Sequence, residues 1–197
     1  MLERVCRGKP RSVLEYPVER TPEQSLILNV RIGATYYYAQ TWPQMSELVM
    51  MVTRPQRISP PGIDGEHGNA EFMFADGRHT ARTRDWWPDN FLHVGVNCAT
   101  GYGGLIWYVS PDRAGKSGDE TSQWCWVSDN PTPPDFDPRV LSDPGCPLFF
   151  DRRSALPVTR VRQALEEFCR MGTGDRPECV RWVRGEINGE RLEANRQ

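Results

Sequence analysis

Apolar residues occur along most of this chain in short runs that are rich in β-branched and aromatic side chains, which is the pattern of β-strands. The runs at 26–32 and 35–39 are separated only by Gly33 and Ala34, and this spacing predicts a hairpin. Because the predicted strands follow one another closely, they favour an antiparallel meander. The further strands are predicted at 70–74, 92–98, 105–109, 123–127 and 179–183, with 148–150 as an additional candidate.

Two segments repeat their apolar residues with the period of an α-helix instead. The first spans 43–52 and follows Thr41, which is placed to cap it. The second has Thr159 as its predicted N-cap, and Gly172, Gly174 and Pro177 prevent it from continuing. Its single apolar face consists of Val161, Ala164, Leu165, Phe168 and Cys169. Both helices are expected to pack on the sheet.

The chain of 197 residues, 38% of them hydrophobic, is long enough to bury one sizeable core. We therefore predict a single α+β domain, with a mainly antiparallel sheet of about six or seven strands and two helices packed on it. The predicted divisions are an N-terminal extension at 1–25, the domain at 26–187 and a polar C-terminal tail at 188–197.

Composition and cysteine spacing narrow the class of protein. No apolar run approaches the roughly 18 to 20 residues of a membrane span, so a cytoplasmic protein without a membrane partner is expected. The six cysteines form no C-x-x-C pair and are predicted to be reduced. A net charge of −2 gives no overall signal for nucleic-acid binding.

The tripeptide Gly115-Lys116-Ser117 resembles the end of a phosphate-binding loop. Such a loop needs a further glycine five residues before Gly115, where this chain has Ser110, and a helix directly after it. Strands are predicted on both sides of the tripeptide instead. We therefore predict a hairpin tip without a nucleotide cofactor.

Catalytic and metal-binding motifs are missing from the sequence as well. A zinc deaminase would need H-x-E with a distant P-C-x-x-C, and neither occurs. The three histidines, His67, His79 and His93, have no spacing that places two ligands on one helix face. His93 and Cys98 would point to opposite faces of an extended segment. No catalytic residue, metal or cofactor is predicted.

Residues 128–143, here called the acidic loop, concentrate negative charge. Four aspartates, Asp129, Asp135, Asp137 and Asp143, face a single cation, Arg139. The prolines between 130 and 138 forbid a regular ladder and hold the chain stiff and extended. Two interpretations remain open at this point, a solvated connector and a binding loop.

The order of several segments resembles one protein family. They are the glycine-containing strand Gly103-Gly-Leu-Ile-Trp107, the aromatic strand ending in Val127-Ser-Asp129, the proline-rich loop, and the stretch from Val161-Arg-Gln-Ala-Leu-Glu-Glu-Phe168 through Arg176-Pro177 to Val180-Arg-Trp182. Over residues 26–187 this order is similar to the first-numbered immunity protein family of bacterial polymorphic toxin systems. Members are typically encoded beside toxins with a cytidine-deaminase-like domain, and the resemblance implies an immunity protein that binds and blocks such a toxin.

If the resemblance holds, the expected mechanism is occlusion of the toxin's substrate groove or active site. A deaminase that acts on nucleic acid must expose a positively charged groove, so carboxylates and aromatic rings would fit it. The predicted toxin-binding residues are Asp129, Asp135, Phe136, Asp137 and Asp143, with Trp86 and Trp87 as further candidates. Burial in the core is the alternative for these two tryptophans, and the sheet is the expected place for Trp107, Trp124, Trp126 and Trp182.

Two other function classes stay open. Residues 78–87 interleave cations and aromatic rings in the way that single-stranded nucleic-acid binders do, although a polar hairpin would have the same composition. The other class is an uncharacterised enzyme on an α+β scaffold. The resemblance favours a toxin-binding protein over both, and with it we expect neither enzymatic activity nor direct nucleic-acid binding.

Overall fold

The computed structural model of the chain describes residues 26–54, 67–80, 87–113 and 120–192. Gly115-Lys116-Ser117, Trp86 and residues 55–66 lie outside the described residues. The helices are α1 (Trp42–Thr53) and α2 (Val158–Met171). The strands are β1 (Ile27–Ile32), β2 (Thr35–Ala39), β3 (His67–Ala75), β4 (Asn90–Asn97), β5 (Tyr102–Val109), β6 (Cys125–Asp129), β7 (Leu141–Asp143), β8 (Leu148–Phe149), β9 (Leu156–Pro157) and β10 (Arg181–Gly185).

The main sheet has eight strands and confirms the predicted α+β fold. Seven of them follow the order β10-β6-β5-β4-β3-β1-β2, every neighbouring pair is antiparallel, and the short β9 pairs with β5. The strands from β3 to β6 form the predicted meander. At the β1–β2 hairpin Gly33 has a φ of 57°, which a two-residue hairpin turn needs at its first central position.

Both helices pack on one face of the sheet. The apolar face of α2 is fully buried there, with Val161, Leu165 and Phe168 each 0% exposed. In α1 the buried apolar side chains Met45, Leu48, Val49 and Val52 are those that the helical spacing predicts. This layer and the inward side chains of the strands form the larger hydrophobic core.

The opposite face of the sheet is partly covered by the chain between β6 and α2. This chain supplies Val140, Phe150 and Ala155 to a second core, where they meet Ile106 and Val127 of the sheet. The β7–β8 ribbon belongs to this layer. The sheet is therefore buried on both faces along part of its area, which the sequence analysis did not predict.

The start of α2 differs from the prediction. The sequence predicts Thr159 as the N-cap, but the helix begins at Val158, and Pro157 occupies the cap position without a side-chain hydrogen bond. Pro157, the last residue of β9, pairs with Tyr102 of β5. The Val158 N–H donates to the Gly101 carbonyl oxygen at 2.9 Å. Strand pairing therefore fixes the helix start and overrides the preference for a threonine cap.

Two strands are shifted by two residues from their predicted positions. The predicted strand at 123–127 is β6 at 125–129, because residues 120–123 form a 3₁₀ turn whose Thr121 carbonyl accepts from the Trp126 indole at 2.9 Å. The predicted strand at 179–183 is β10 at 181–185. Here the Cys179 N–H is taken up by the Glu167 carboxylate at 3.0 Å and cannot join the ladder.

The first residues of the predicted polar tail contact the sheet. Gly185 forms a bridge with Arg191, and the Leu192 N–H donates to the Arg184 carbonyl oxygen at 2.9 Å. The five cysteines within the described residues, at 98, 125, 146, 169 and 179, are free thiols. Neither helix in the described part of the chain is long and apolar enough to cross a membrane.

Candidate functional site

The acidic loop is fastened to the body of the protein at its beginning. Asn130 is only 7% exposed, and its side-chain amide donates to the Ala155 carbonyl oxygen at 2.6 Å. The backbone N–H of Asn130 donates to Arg153 at 2.7 Å, and its side-chain oxygen accepts from the Thr132 N–H at 3.0 Å. One buried asparagine thus sets the direction in which the loop leaves β6.

A second group of hydrogen bonds holds the far part of the loop. The Pro138 carbonyl oxygen accepts from the Asn97 amide at 2.9 Å and from the Thr100 hydroxyl at 3.1 Å. The Pro134 carbonyl oxygen accepts from Arg152 at 3.4 Å. Both prolines are buried. With ends and middle held in this way, the residues between 134 and 138 are preordered.

Asp135, Phe136 and Asp137 form the exposed tip of the acidic loop. Phe136 is 46% exposed and its ring lies edge-on to Tyr102, with a centroid distance of 5.7 Å. Asp137 accepts from the Arg139 N–H at 2.9 Å, which supports the turn at Arg139, where φ is 48°. The tip therefore presents two carboxylates on either side of a half-exposed aromatic ring.

The other two aspartates of the acidic loop are bound within the protein. Asp129 is 18% exposed and forms ion pairs with Arg191 at 2.9 Å and Arg181 at 3.6 Å. Asp143 accepts from the N–H groups of Gly145 at 2.8 Å and Cys146 at 3.3 Å, which closes the β7–β8 turn. These contacts engage both carboxylates, so the tip is the part of the loop most available to a partner.

Trp87 lies far from this tip. It is 74% exposed and precedes β4, whereas the acidic loop is tied to Asn97 at the other end of that strand. The 8 residues of β4 separate its ends by roughly 23 Å at about 3.3 Å per residue. The structure therefore places the predicted interface residues on two separate areas, with Trp86 outside the described residues.

A row of polar side chains on the open part of the sheet was missed by the sequence analysis. Arg31, Glu71 and His93 lie opposite one another on β1, β3 and β4. Arg31 Nε donates to Glu71 Oε2 at 3.1 Å, and His93 Nδ1 lies 3.8 Å from Glu71 Oε1. Burial alone would raise the pKa of Glu71, but His93 and Arg31 outweigh it and lower the pKa to about 2. Only the strand register brings the three together.

Replacing Glu71 with glutamine is expected to reduce stability in a pH-dependent way. The folded pKa of about 2 lies below the ordinary value of 4.5, so the carboxylate stabilises the fold above about pH 4.5 and loses this effect as the pH falls towards 2. Urea unfolding should give a wild-type advantage on the order of 2 kcal/mol at pH 7. The difference between the two proteins should shrink steadily below pH 4.5. A difference that is constant from pH 7 to pH 3 would contradict the assigned ion pair.

The residues that carry the family resemblance near the C-terminal end hold the end of α2 against the sheet. The Trp107 indole donates to the Gly174 carbonyl oxygen at 3.0 Å, and the Arg176 guanidinium lies 4.2 Å from the centre of the Trp126 ring. The Trp182 indole donates to Pro177 at 2.7 Å. These side chains join the end of α2 to the sheet. Their spacing in the sequence therefore reflects how the chain folds.

The described residues offer little for catalysis. They contain no group of three or more histidine, cysteine or acidic side chains that could hold a metal ion. His93 faces Glu71 on the open side of the sheet, whereas Cys98 packs against the larger core. Burial raises the pKa of the Cys125 thiol to about 11 and that of the Cys169 thiol to about 12, which disfavours the nucleophilic thiolate.

The segment proposed above as a nucleic-acid binder is only partly described. The Arg78 guanidinium lies 5.4 Å from the centre of the Tyr38 ring, and the Tyr38 hydroxyl donates to the His79 carbonyl oxygen at 2.7 Å. The beginning of this segment is thus bound to β2 of the same chain. Residues 81–86 lie outside the described part.

Comparison with known proteins agrees with the resemblance in the sequence. Residues 62–184 match the family model described as Immunity protein Imm1, and this match extends from before β3 to the end region of β10. No curated protein and no solved structure matches the chain. The matched segment is more than half of the 197 residues. The chain therefore belongs to the Imm1 family of immunity proteins.

Proposed function

We propose that this protein binds a cognate deaminase-like toxin domain in the cytoplasm and blocks access to the toxin's substrate groove, without any enzymatic activity of its own. Membership of an immunity protein family is the observation that carries the proposal, because an immunity protein implies a toxin partner. The deaminase type of that toxin is inferred from the family resemblance described above.

The tip of the acidic loop is the proposed point of contact. A toxin that binds nucleic acid needs cationic side chains for the phosphates and apolar surfaces for the bases. Asp135 and Asp137 offer two negative charges, and Phe136 offers an exposed ring between them. The tip therefore offers negative charge in place of the phosphates of the substrate and an aromatic ring in place of its bases.

The fixed conformation of the acidic loop supports the same proposal. The hydrogen bonds of Asn130 and Pro138 fix the loop before any partner arrives. A segment that is already ordered loses less conformational entropy on binding than a flexible one. The tip alone is smaller than the roughly 800 Å² that each partner contributes to a stable interface, so neighbouring surface must add contacts.

Replacing Asp135 and Asp137 together with asparagine is expected to slow association with the toxin. Exposed charges act mainly on the encounter rate, so the loss should be about tenfold or more at low salt and should shrink as ionic strength rises. The control is the double replacement of Asp76 and Asp112 with asparagine. Both aspartates are exposed, so this variant loses the same amount of charge at a different place on the surface. The measurement is association kinetics with the purified toxin domain at two salt concentrations.

Equal rates for the tip variant and the control variant would exclude the tip as the electrostatic part of the interface. In that case Trp87→Ala should be measured next, because Trp87 is the exposed aromatic side chain at the other end of β4. Unchanged melting temperatures are expected for all of these variants, since solvated side chains contribute little to stability.

A further inference from the structure

The two margins of the main sheet differ in how their backbone is protected. At the β10 margin, Arg181 and Arg184 are exposed, and the chain returns to bridge Gly185 with Arg191. Within the described residues, β2 at the other margin pairs only with β1. Edge strands are usually protected by lysine, proline, bulges or short length, because their free N–H and C=O groups attract another strand. The sequence of β2, Thr35-Tyr-Tyr-Tyr-Ala39, has no charge and no proline.

The register of the hairpin shows which backbone groups of β2 point outwards. Ile32 and Thr35 are opposite each other across a two-residue turn and form the first hydrogen-bonded pair. Because such pairs alternate along an antiparallel ladder, Tyr37 also bonds towards β1. The N–H and C=O groups of Tyr36 and Tyr38 therefore point away from the sheet.

The sequence of β2 is nearly the same in both directions, with Tyr37 at its centre. An antiparallel pairing with a second copy can thus place Tyr37 on a twofold axis and Tyr36 opposite Tyr38 of the other copy. In this register the outward groups of Tyr36 meet the outward groups of Tyr38, so all of them are bonded. A twofold interface needs a surface that is complementary to itself, and β2 has this property.

The side chains fit this register as well as the backbone does. Tyr36 and Tyr38 lie on the face of the sheet opposite the helices, and Tyr37 packs against the larger core on the helix face. Each Tyr36 would approach a Tyr38 of the other copy, whose ring also contacts the Arg78 guanidinium of its own chain, and aromatic cross-strand pairs stabilise antiparallel strands.

From these observations we infer that the protein forms a twofold homodimer in which the β2 strands of two copies pair antiparallel about Tyr37, joining the two sheets into one. Two five-residue strands bury little area, so the dimer belongs to the weak class, with a dissociation constant on the order of 100 micromolar. The acidic loop leaves the sheet after β6, near the other margin, and stays accessible. If the proposed toxin binding is correct, each dimer would bind two toxin domains.

Sedimentation velocity of the toxin-free protein tests the dimer independently of any toxin. Wild type should shift from 22.6 kDa at low micromolar concentration towards twice that mass at several hundred micromolar. Tyr36→Pro removes an outward N–H that β1 does not use, and proline is tolerated at edge positions of this kind. This variant should stay monomeric, whereas Tyr36→Val keeps the N–H and should dimerise within about tenfold of wild type.

A charge exchange at the twofold axis tests the register. Tyr37→Lys and Tyr37→Glu should each be monomeric alone, because like charges would face each other across the axis, and an equimolar mixture should dimerise. Circular dichroism melting identifies any variant that fails to fold. A wild-type mass that stays at 22.6 kDa at all concentrations, or a mixture that remains monomeric while both variants are folded, would overturn the inference.

Discussion

Phe168→Ala is expected to lower the free energy of unfolding by about 3 to 5 kcal/mol, which is a large part of the margin of a typical domain. Phe168 is 0% exposed at the centre of the apolar face of α2. Its ring centre lies 5.4 Å from that of Phe74 on β3, so it contributes directly to the packing of the helix on the sheet. The substitution removes this contact and leaves a cavity that close-packed neighbours can fill only in part.

Urea unfolding at neutral pH measures the loss for Phe168→Ala. Leu148→Ala is the matched control, because it also shortens an apolar side chain but at a position that is 42% exposed. The control should change stability by less than about 1 kcal/mol. An equal loss in both variants would mean that α2 does not pack on the sheet through Phe168.

Gly95→Ala is expected to cost about 3 kcal/mol or more, at or above the upper end of usual overpacking effects. A Cβ atom at this position would lie 2.1 Å from the Leu141 carbonyl oxygen and 3.3 Å from the Phe150 ring. Gly95 pairs with Gly104, where a Cβ would in turn approach Phe150 to 2.6 Å. The absence of side chains at the two glycines thus allows β7 and Phe150 to pack closely on the sheet. The Leu141 carbonyl is part of the backbone and cannot rotate away from an added Cβ as a side chain could.

The same substitution should also weaken the proposed toxin binding, because β7 ends the acidic loop and the tip of that loop is the proposed contact. Gly77→Ala is the control, since the nearest atom to its added Cβ would be 3.9 Å away, an ordinary contact distance. Thermal unfolding and toxin affinity should both fall for Gly95→Ala and stay close to wild type for Gly77→Ala. A Gly95→Ala protein with wild-type stability would contradict the close contact between β4 and β7.

Local sequence patterns sufficed for the elements whose partners are near in the chain. The β1–β2 hairpin follows from a two-residue glycine turn, and the buried face of α2 follows from its helical spacing. The end of α2 at Gly172, where φ is 67°, is another local signal. Such features depend on neighbours within a few residues.

Features that depend on distant pairing could not be read from the sequence. The N-cap of α2 is displaced from Thr159 because β9 pairs with β5, and the second core exists because Gly95 and Gly104 admit Phe150. The same holds for the candidate site. Sequence alone singled out four aspartates, but Asp129 is paired with Arg191, which is 62 residues away. Only the folded chain separates the exposed tip from the aspartates that hold the structure.

The most direct test of the proposed function is a titration of the toxin's deaminase activity. The proposed deaminase-like toxin domain would be assayed on single- and double-stranded nucleic acid with increasing amounts of the wild-type protein. Deamination should fall in proportion to the added protein and reach zero near one equivalent. At low protein concentrations, the variant lacking the charges of Asp135 and Asp137 should need a large excess over the toxin to give the same inhibition. Undiminished deamination in the presence of excess wild-type protein would contradict the proposed function.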